Sequence, residues 1–313
     1  FLASIVALDA DTGAYKWHYQ QNPAETWDYN SAMDITLATL TIDGAPRKVL
    51  MQAPKNGFFY ILDRATGKLL SAEKFSKATW ASHVDLSTGR PVELPNVRYD
   101  NSAVQLWPSP SGAHSWQPMA YNPANGLVYI PTIELIGSWD DRGIDRKSWA
   151  SRPGQMNAGI HVFQSDIPPA AGTSALLAWD PVRQRKAWEV TTPGVWNGGV
   201  MTTAGGLVFQ GQGDGMFNAY AGGTVFRQVI HGLFFNRVIR PGILGEPADE
   251  GAVEAIQAEA APKAFAYLDA QVGGSFLVGG RLSLADLAVG SNLLNYRYLG
   301  LAIDPARYQR LAA

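Results

Sequence analysis

The chain has 313 residues, 46% of them hydrophobic and 17% charged, with a formal net charge of −2. That length suits about two domains with real cores, and the near-neutral charge carries no electrostatic footprint for nucleic acid or an anionic membrane. No apolar run approaches the ~20 residues of a membrane span, and the absence of cysteine excludes disulfides, thiolate metal sites and a cysteine nucleophile.

The chain opens on Phe1 with no basic stretch ahead of an apolar one, so no signal peptide is read. It opens inside a repeat, which is expected to continue upstream. Residues 5–17 read Ile-Val-Ala-Leu-Asp-Ala-Asp-Thr-Gly-Ala-Tyr-Lys-Trp, and residues 59–70 read Phe-Tyr-Ile-Leu-Asp-Arg-Ala-Thr-Gly-Lys-Leu-Leu. Residues 176–188 repeat the pattern with Arg183-Gln184 in place of Thr-Gly. Each copy predicts a β-hairpin: an apolar strand, an aspartate that bonds its own turn, and a glycine that supplies φ > 0 at Gly13 and Gly67. Tyr121–Gly126, leading into Leu127–Ile130, predicts another hairpin. Repeated hairpins with recurring Trp fit the blades of a β-propeller or the strands of a β-sandwich. A further copy starts at Met216–Tyr220 and is cut in mid-strand.

The texture then changes. All ten tryptophans precede residue 197, whereas residues 249–272 are rich in Ala and Glu. Apolar positions there (Val253, Ile256, Ala260, Ala264, Tyr267, Leu268, Val272) recur at helical spacing. In residues 281–299, Ser283 and Asp286 predict a capping-box variant, with Leu282 and Leu287 as its staple. The fold class expected is therefore multidomain: an incomplete, mainly β part of about four blades over 1–222, then an all-α part over 223–313.

Four stretches in order give the first part a specific resemblance: Glu25-Thr26-Trp27-Asp28-Tyr29, Ala53–Arg64, Gly112–Met119 and Trp196–Phe209. They resemble the pyrroloquinoline-quinone (PQQ) dependent alcohol dehydrogenases, whose catalytic domain is an eight-bladed propeller. The resemblance implies oxidation of a small primary alcohol by PQQ beside Ca²⁺, with a cytochrome c-type electron acceptor. It makes Asp28 the catalytic base and a metal ligand, and Lys55 the residue that hydrogen-bonds the quinone oxygens. It makes Trp116 and Trp196 candidates to flank the cofactor ring, and Asn197 a candidate amide contact. A loop aspartate is ordinarily a turn residue and Trp is the ordinary blade-docking residue, so the motif context carries these assignments. His114 is expected to be structural. Asn30 stands where lanthanide-using members carry a second Asp, so the resemblance favours Ca²⁺. The family's metal-binding Glu and Asn, its ring-stacking Trp and its cysteine pair lie upstream of the Trp-Asp-Tyr motif, so a half-site, inactive alone, is expected.

Gly274–Asp286 and Ala302–Pro305 resemble the C-terminal domain of the glutathione transferases, in which these residues stabilise the fold. That family's thioredoxin-like domain has no counterpart in this sequence, so transferase activity is not expected. A helical interaction module that lets the chain form a homo-oligomer is the alternative. A chimeric or frameshifted product is another, because the break at 221–225 has no linker composition. The first resemblance implies the periplasm and the second the cytosol.

Overall fold

Two strands meet at the Asp9 turn because the turn satisfies itself. β1 (Ser4–Leu8) and β2 (Tyr15–Gln20) pair antiparallel. Asp9 Oδ1 accepts from Thr12 N (3.0 Å) and Thr12 Oγ1 (2.8 Å), and Gly13 takes φ 71°. The structure, a computed structural model, describes residues 2–154, 158–161, 172–203, 206–221, 229, 232–272 and 284–311.

The same turn recurs down the chain. β3 (Thr36–Ile42), β4 (Ala45–Gln52), β5 (Phe58–Asp63) and β6 (Leu69–Lys74) form a four-stranded antiparallel meander. Asp63 Oδ1 accepts from Thr66 N (3.0 Å) and Oγ1 (2.9 Å), and Gly67 has φ 73°. A Cβ on Gly67 would lie 2.7 Å from Trp17 Cδ2, so the turn docks on the indole of the neighbouring hairpin. β7 (Ala81–Asp85) and β8 (Arg90–Glu93) repeat the device at Asp85–Gly89, a copy that the apolar-strand pattern missed. There Asp85 Oδ1 accepts from Ser87 N (2.8 Å), Gly89 has φ 68°, and Tyr19 Oη donates to Gly89 O (2.8 Å).

β9 (Ala103–Leu106), β10 (Ala120–Asn122), β11 (Leu127–Glu134), β12 (Gly137–Asp140), β13 (Thr173–Asp180) and β14 (Arg185–Thr192) follow. β10-β11-β13-β14 make a second four-stranded sheet, and β12 pairs with β9. The degenerate repeat at Asp180 still turns: Asp180 Oδ1 accepts from Val182 N and Arg183 N, and Gln184 takes φ 49° where the other copies have glycine. In all three predicted copies the strand register shifts just before the aspartate, at Ala7/Leu8, Ile61/Leu62 and Ala178/Trp179. β15 (Val200–Thr202), β16 (Leu207–Gly211) and β17 (Phe217–Ala221) complete the series.

β5 shows why the arrangement is blade on blade. Its side chains alternate between two cores. Phe58, Tyr60 and Leu62 face one cluster with Ile5, Tyr19, Trp80 and Trp139. Phe59 and Ile61 face another with Val49, Met51, Ile130, Leu177 and Trp179. β5 is thus buried on both faces, as an inner strand of a propeller blade is. Hence it reads as a continuous apolar run rather than an alternating one.

At the end of β12, Arg142 forks onto Asp140 (Nε–Oδ1 2.9 Å, Nη2–Oδ2 2.6 Å) and lowers its carboxyl to about 2. A carboxyl depressed on folding stabilises the fold fully above its unfolded value of 3.8, and that contribution is lost as pH falls through about 2. Acid unfolding should therefore separate wild type from Asp140→Asn at pH 5, with the two curves converging near pH 2. A constant offset across that range would contradict this.

The chain divides into two compact units, Phe1–Met201 with Gln210–Phe217, and Thr202–Phe209 with Asn218–Ala313. In the second, helix α1 (Gly232–Phe234) runs into a π-helical stretch Phe235–Leu244 that ends at Gly245 with φ 69°. Asp249 caps α2 (Glu250–Ala255) by accepting Ala252 N at 3.0 Å. A π-helical turn, Ile256–Ala260, joins α2 to α3 (Ala261–Gln271). The core face runs from Val253 to Ala261, Ala264, Phe265 and Leu268. The 3.6-residue spacing found Val253, Ala264, Leu268 and Val272, which are buried, and Ile256 and Ala260, which pack against the core, and missed Ala261 and Phe265. Phe265 meets Tyr296 of α4 (Leu284–Tyr298) edge-on at 5.0 Å and Tyr308 at 5.7 Å. Asp269 Oδ1 accepts the amides of Arg310 (2.7 Å) and Leu311 (2.8 Å), tying the last turn to α3. The expected break at 221–225 and the cap at Ser283 fall largely or wholly outside the described residues.

Candidate functional site

The Trp27-Asp28-Tyr29 loop is held by its two aromatic flanks. Trp27 is fully buried, donates Nε1–H to Val97 O (3.0 Å) and carries the Arg98 guanidinium 4.0 Å above its ring. Tyr29 is fully buried, packs on Trp80 and Trp139 and donates its hydroxyl to Pro108 O. Burial pushes the Tyr29 phenol well above its usual range. Between these anchors Asp28 takes φ 64°, and its side chain is 63% exposed. A left-handed non-glycine residue costs about 1–3 kcal/mol and is held only by surrounding contacts.

Lys55 arrives from the tight β4–β5 connection. Its backbone O accepts Ala113 N (2.9 Å), and its Nζ donates to Asp28 Oδ2 (3.1 Å) from a residue only 8% exposed. Asn56 fixes this connection. Its Nδ2 reaches Asn22 Oδ1 (2.7 Å) and Tyr60 Oη (2.8 Å), and its backbone O accepts Trp80 Nε1 (2.8 Å). Gly112 lets the 112–119 loop close over Lys55, since a Cβ there would lie 2.7 Å from both Lys55 Cβ and His114 O. His114 is fully buried with its ring nitrogens 2.6 Å from Ala53 O and Gln117 O, a loop-holding role.

Asp28 and Lys55 are therefore brought together across 27 residues of sequence. Trp116 projects from the 112–119 loop, 74% exposed although Ser115 and Gln117 beside it are buried. Trp196 is 46% exposed. Asn197 closes its own loop, with Nδ2 on Ser174 Oγ (2.7 Å), Thr192 Oγ1 (3.0 Å) and Pro193 O (3.1 Å), and Oδ1 accepting Gly213 N (3.0 Å). Among the described residues, none of Trp116, Trp196 or Asn197 shares a hydrogen bond or ion pair with the Asp28–Lys55 pair.

A metal ion fits this arrangement poorly. Among the described residues no three His, Cys, Asp or Glu side chains are grouped to hold one. Asp28 faces Lys55 and, more distantly, Asn30 Nδ2 at 3.4 Å. A quinone fits better. The buried Lys55 ammonium has Asp28 as its one hydrogen-bond partner among the described residues, which leaves N–H donors for an acceptor oxygen. The exposed indoles are flat apolar surfaces suited to a planar ring.

Both parts of the chain resemble known proteins. Residues 1–74 match the family model of the glucose/ethanol/alcohol dehydrogenase β-propeller domain, designated PQQ, and residues 242–313 match that of the glutathione S-transferase C-terminal domain. Quinohemoprotein alcohol dehydrogenase ADH IIB of Pseudomonas putida is 54% identical over 221 residues, 71% of this chain and 32% of that protein. The 1-butanol dehydrogenase (cytochrome c) of Thauera butanivorans is 42% identical over 230 residues, 70% of this chain and 32% of that protein. The crystal structure of quinohemoprotein alcohol dehydrogenase from Comamonas testosteroni superposes with a TM-score of 0.65 at 44% identity, covering 72% of this chain and 34% of that one. The chain spans about a third of the length of the curated relatives it matches. Over about 70% of its length the chain is thus similar to part of PQQ-dependent alcohol dehydrogenases, with residues 1–74 matching their β-propeller model, and over its last 72 residues to the C-terminal domain of glutathione S-transferases.

Proposed function

We propose that the first unit carries the aspartate–lysine half of a PQQ site for oxidising small primary alcohols. The observation that supports this most is the salt bridge between exposed Asp28 and buried Lys55, set in a loop whose flanks are rigid. PQQ, when bound, supplies the two-electron acceptor that no side chain offers. Lys55 donates to a quinone oxygen and holds positive charge where negative charge develops. Asp28 Oδ1, with only a long contact to Asn30, receives the alcohol's hydroxyl proton while Oδ2 stays on Lys55. Trp116 and Trp196 would offer flat apolar faces to the ring, and Asn197 holds the loop that carries Trp196. A Ca²⁺ ion at Asp28 requires ligands beyond those grouped here, and no step is assigned to it.

The electron acceptor proposed is a cytochrome c, the protein named with the 1-butanol dehydrogenase of Thauera butanivorans. The resemblance of the propeller part favours the periplasm as the location of the chain, and that of the helical part favours the cytosol. The match at 242–313 supports a second role, a helical module through which copies of the chain associate.

Complementation tests the main reading. The chain alone should oxidise ethanol with a dye acceptor no faster than free PQQ. Co-expression with the remaining two thirds of a quinohemoprotein relative should restore turnover, and Asp28→Ala should lower that turnover by about 10²–10⁴-fold. Restored turnover that survives Asp28→Ala would sink the assignment.

A further inference from the structure

We propose that Glu25 is the positioning residue for Asp28: its carboxylate gathers the backbone amides on either side of Asp28 and so aims the Asp28 side chain at Lys55. Glu25 Oε1 accepts from Trp27 N at 2.7 Å and from Tyr29 N at 2.8 Å. One oxygen that binds the amides at the second and fourth residues after its own forces the chain to turn between them. The residue between is Asp28, and it has the left-handed φ of 64°. That conformation is uncommon for an L-residue, and aspartate, whose side chain bonds locally, tolerates it better than most. The two amides are backbone donors that no strand or helix satisfies, so the carboxylate also meets an obligatory need of the buried Trp27 and Tyr29.

The rest of the loop is pinned from another side. Arg98 donates to Thr26 Oγ1 (3.1 Å) and Pro23 O (3.3 Å), and Tyr99 Oη donates to Thr26 O. These contacts hold residues 23–26, the buried rings hold Trp27 and Tyr29, and Glu25 binds the two amides that frame Asp28. Charge-assisted bonds from a carboxylate to backbone N–H are among the stronger ones available. Gln keeps a carbonyl oxygen of the same reach and Ala keeps none, so the two substitutions separate the bonding role from mere bulk. Glu25 touches neither Lys55 nor any reacting atom in this account. Its effect passes entirely through Asp28.

The importance of Glu25 for alcohol oxidation rests on the reading of Asp28 given above, but its test uses no cofactor. In the purified chain, acylation of each lysine amine is followed by mass spectrometry, with Lys74, which donates to Ala78 O, as internal reference. Asp28→Ala removes the partner of Lys55 and should raise its labelling rate by about fivefold. Glu25→Ala should give the same rise with Lys74 unchanged, and Glu25→Gln should stay close to wild type. In the wild-type chain, the amides of Trp27 and Tyr29 should exchange with solvent slowly, as bonded amides do. This arm stands even where Glu25→Ala fails to fold. Wild-type Lys55 labelling in Glu25→Ala, or free-loop exchange at both amides, would overturn the proposal. Failure of PQQ to bind would overturn the functional reading and leave this one standing.

Discussion

Trp80→Ala should lower the free energy of unfolding by about 3–5 kcal/mol, the range for emptying a buried aromatic site. Trp80 is fully buried, and its ring meets Trp27 (5.3 Å), Tyr29 (5.9 Å) and Phe58 (5.8 Å). Its indole N–H donates to Asn56 O at 2.8 Å, in the connection that delivers Lys55. Truncation leaves a cavity between rigid rings and an unpaired carbonyl. Urea unfolding followed by circular dichroism gives the value directly. A loss under about 1 kcal/mol, the mark of a surface substitution, would show that the aromatic cluster does not carry the fold.

Gly112→Val should be the most damaging single change in the loop over Lys55. Gly112 has φ 86°, which a β-branched residue resists, and its Cβ would be driven into Lys55 and the backbone of His114. Overpacking costs about 1–3 kcal/mol, and the left-handed conformation adds about 1–2 kcal/mol. Gly126→Ala is the matched control. Its φ is 72°, and nothing lies within 4 Å of the added Cβ. The control should lose only the conformational part. Equal losses at the two sites would mean that the approach of Gly112 to Lys55 is not tight. The Gly112 variant should also free Lys55 for amine labelling, which the control should not.

The hairpins were legible because their cause is local. Asp9, Asp63 and Asp180 bond amides two and three residues ahead, so the turn lies within one short window. The Asp85 copy escaped because its strand, Ala-Ser-His-Val-Asp, is not an apolar run, although its turn chemistry is the same. Asp28 and Lys55 were legible through family motifs, yet their salt bridge depends on a loop closure that no spacing states. The Glu25 clamp was written in Glu-Thr-Trp-Asp-Tyr but needs the left-handed turn before its bonds can be seen. In the helical unit, Ala261 and Phe265 belong to the same i, i+3, i+4, i+7 stripe as Ala264 and Leu268, which a narrower choice of apolar positions passed over. The solvent exposure of Trp116 was not legible either, since tryptophan in a repeat reads as core.

Lys55 and Asp28 are proposed to present a quinone-binding half-site. Equilibrium titration of the purified chain with PQQ, read by quenching of tryptophan fluorescence, tests it most directly beside Lys55→Ala. Loss of a hydrogen bond to a charged group is worth about 1.5–3 kcal/mol, so Lys55→Ala should weaken binding by at least about tenfold. Saturable binding with that loss is the predicted result. No saturable binding, or binding that Lys55→Ala leaves unchanged, would contradict the claim.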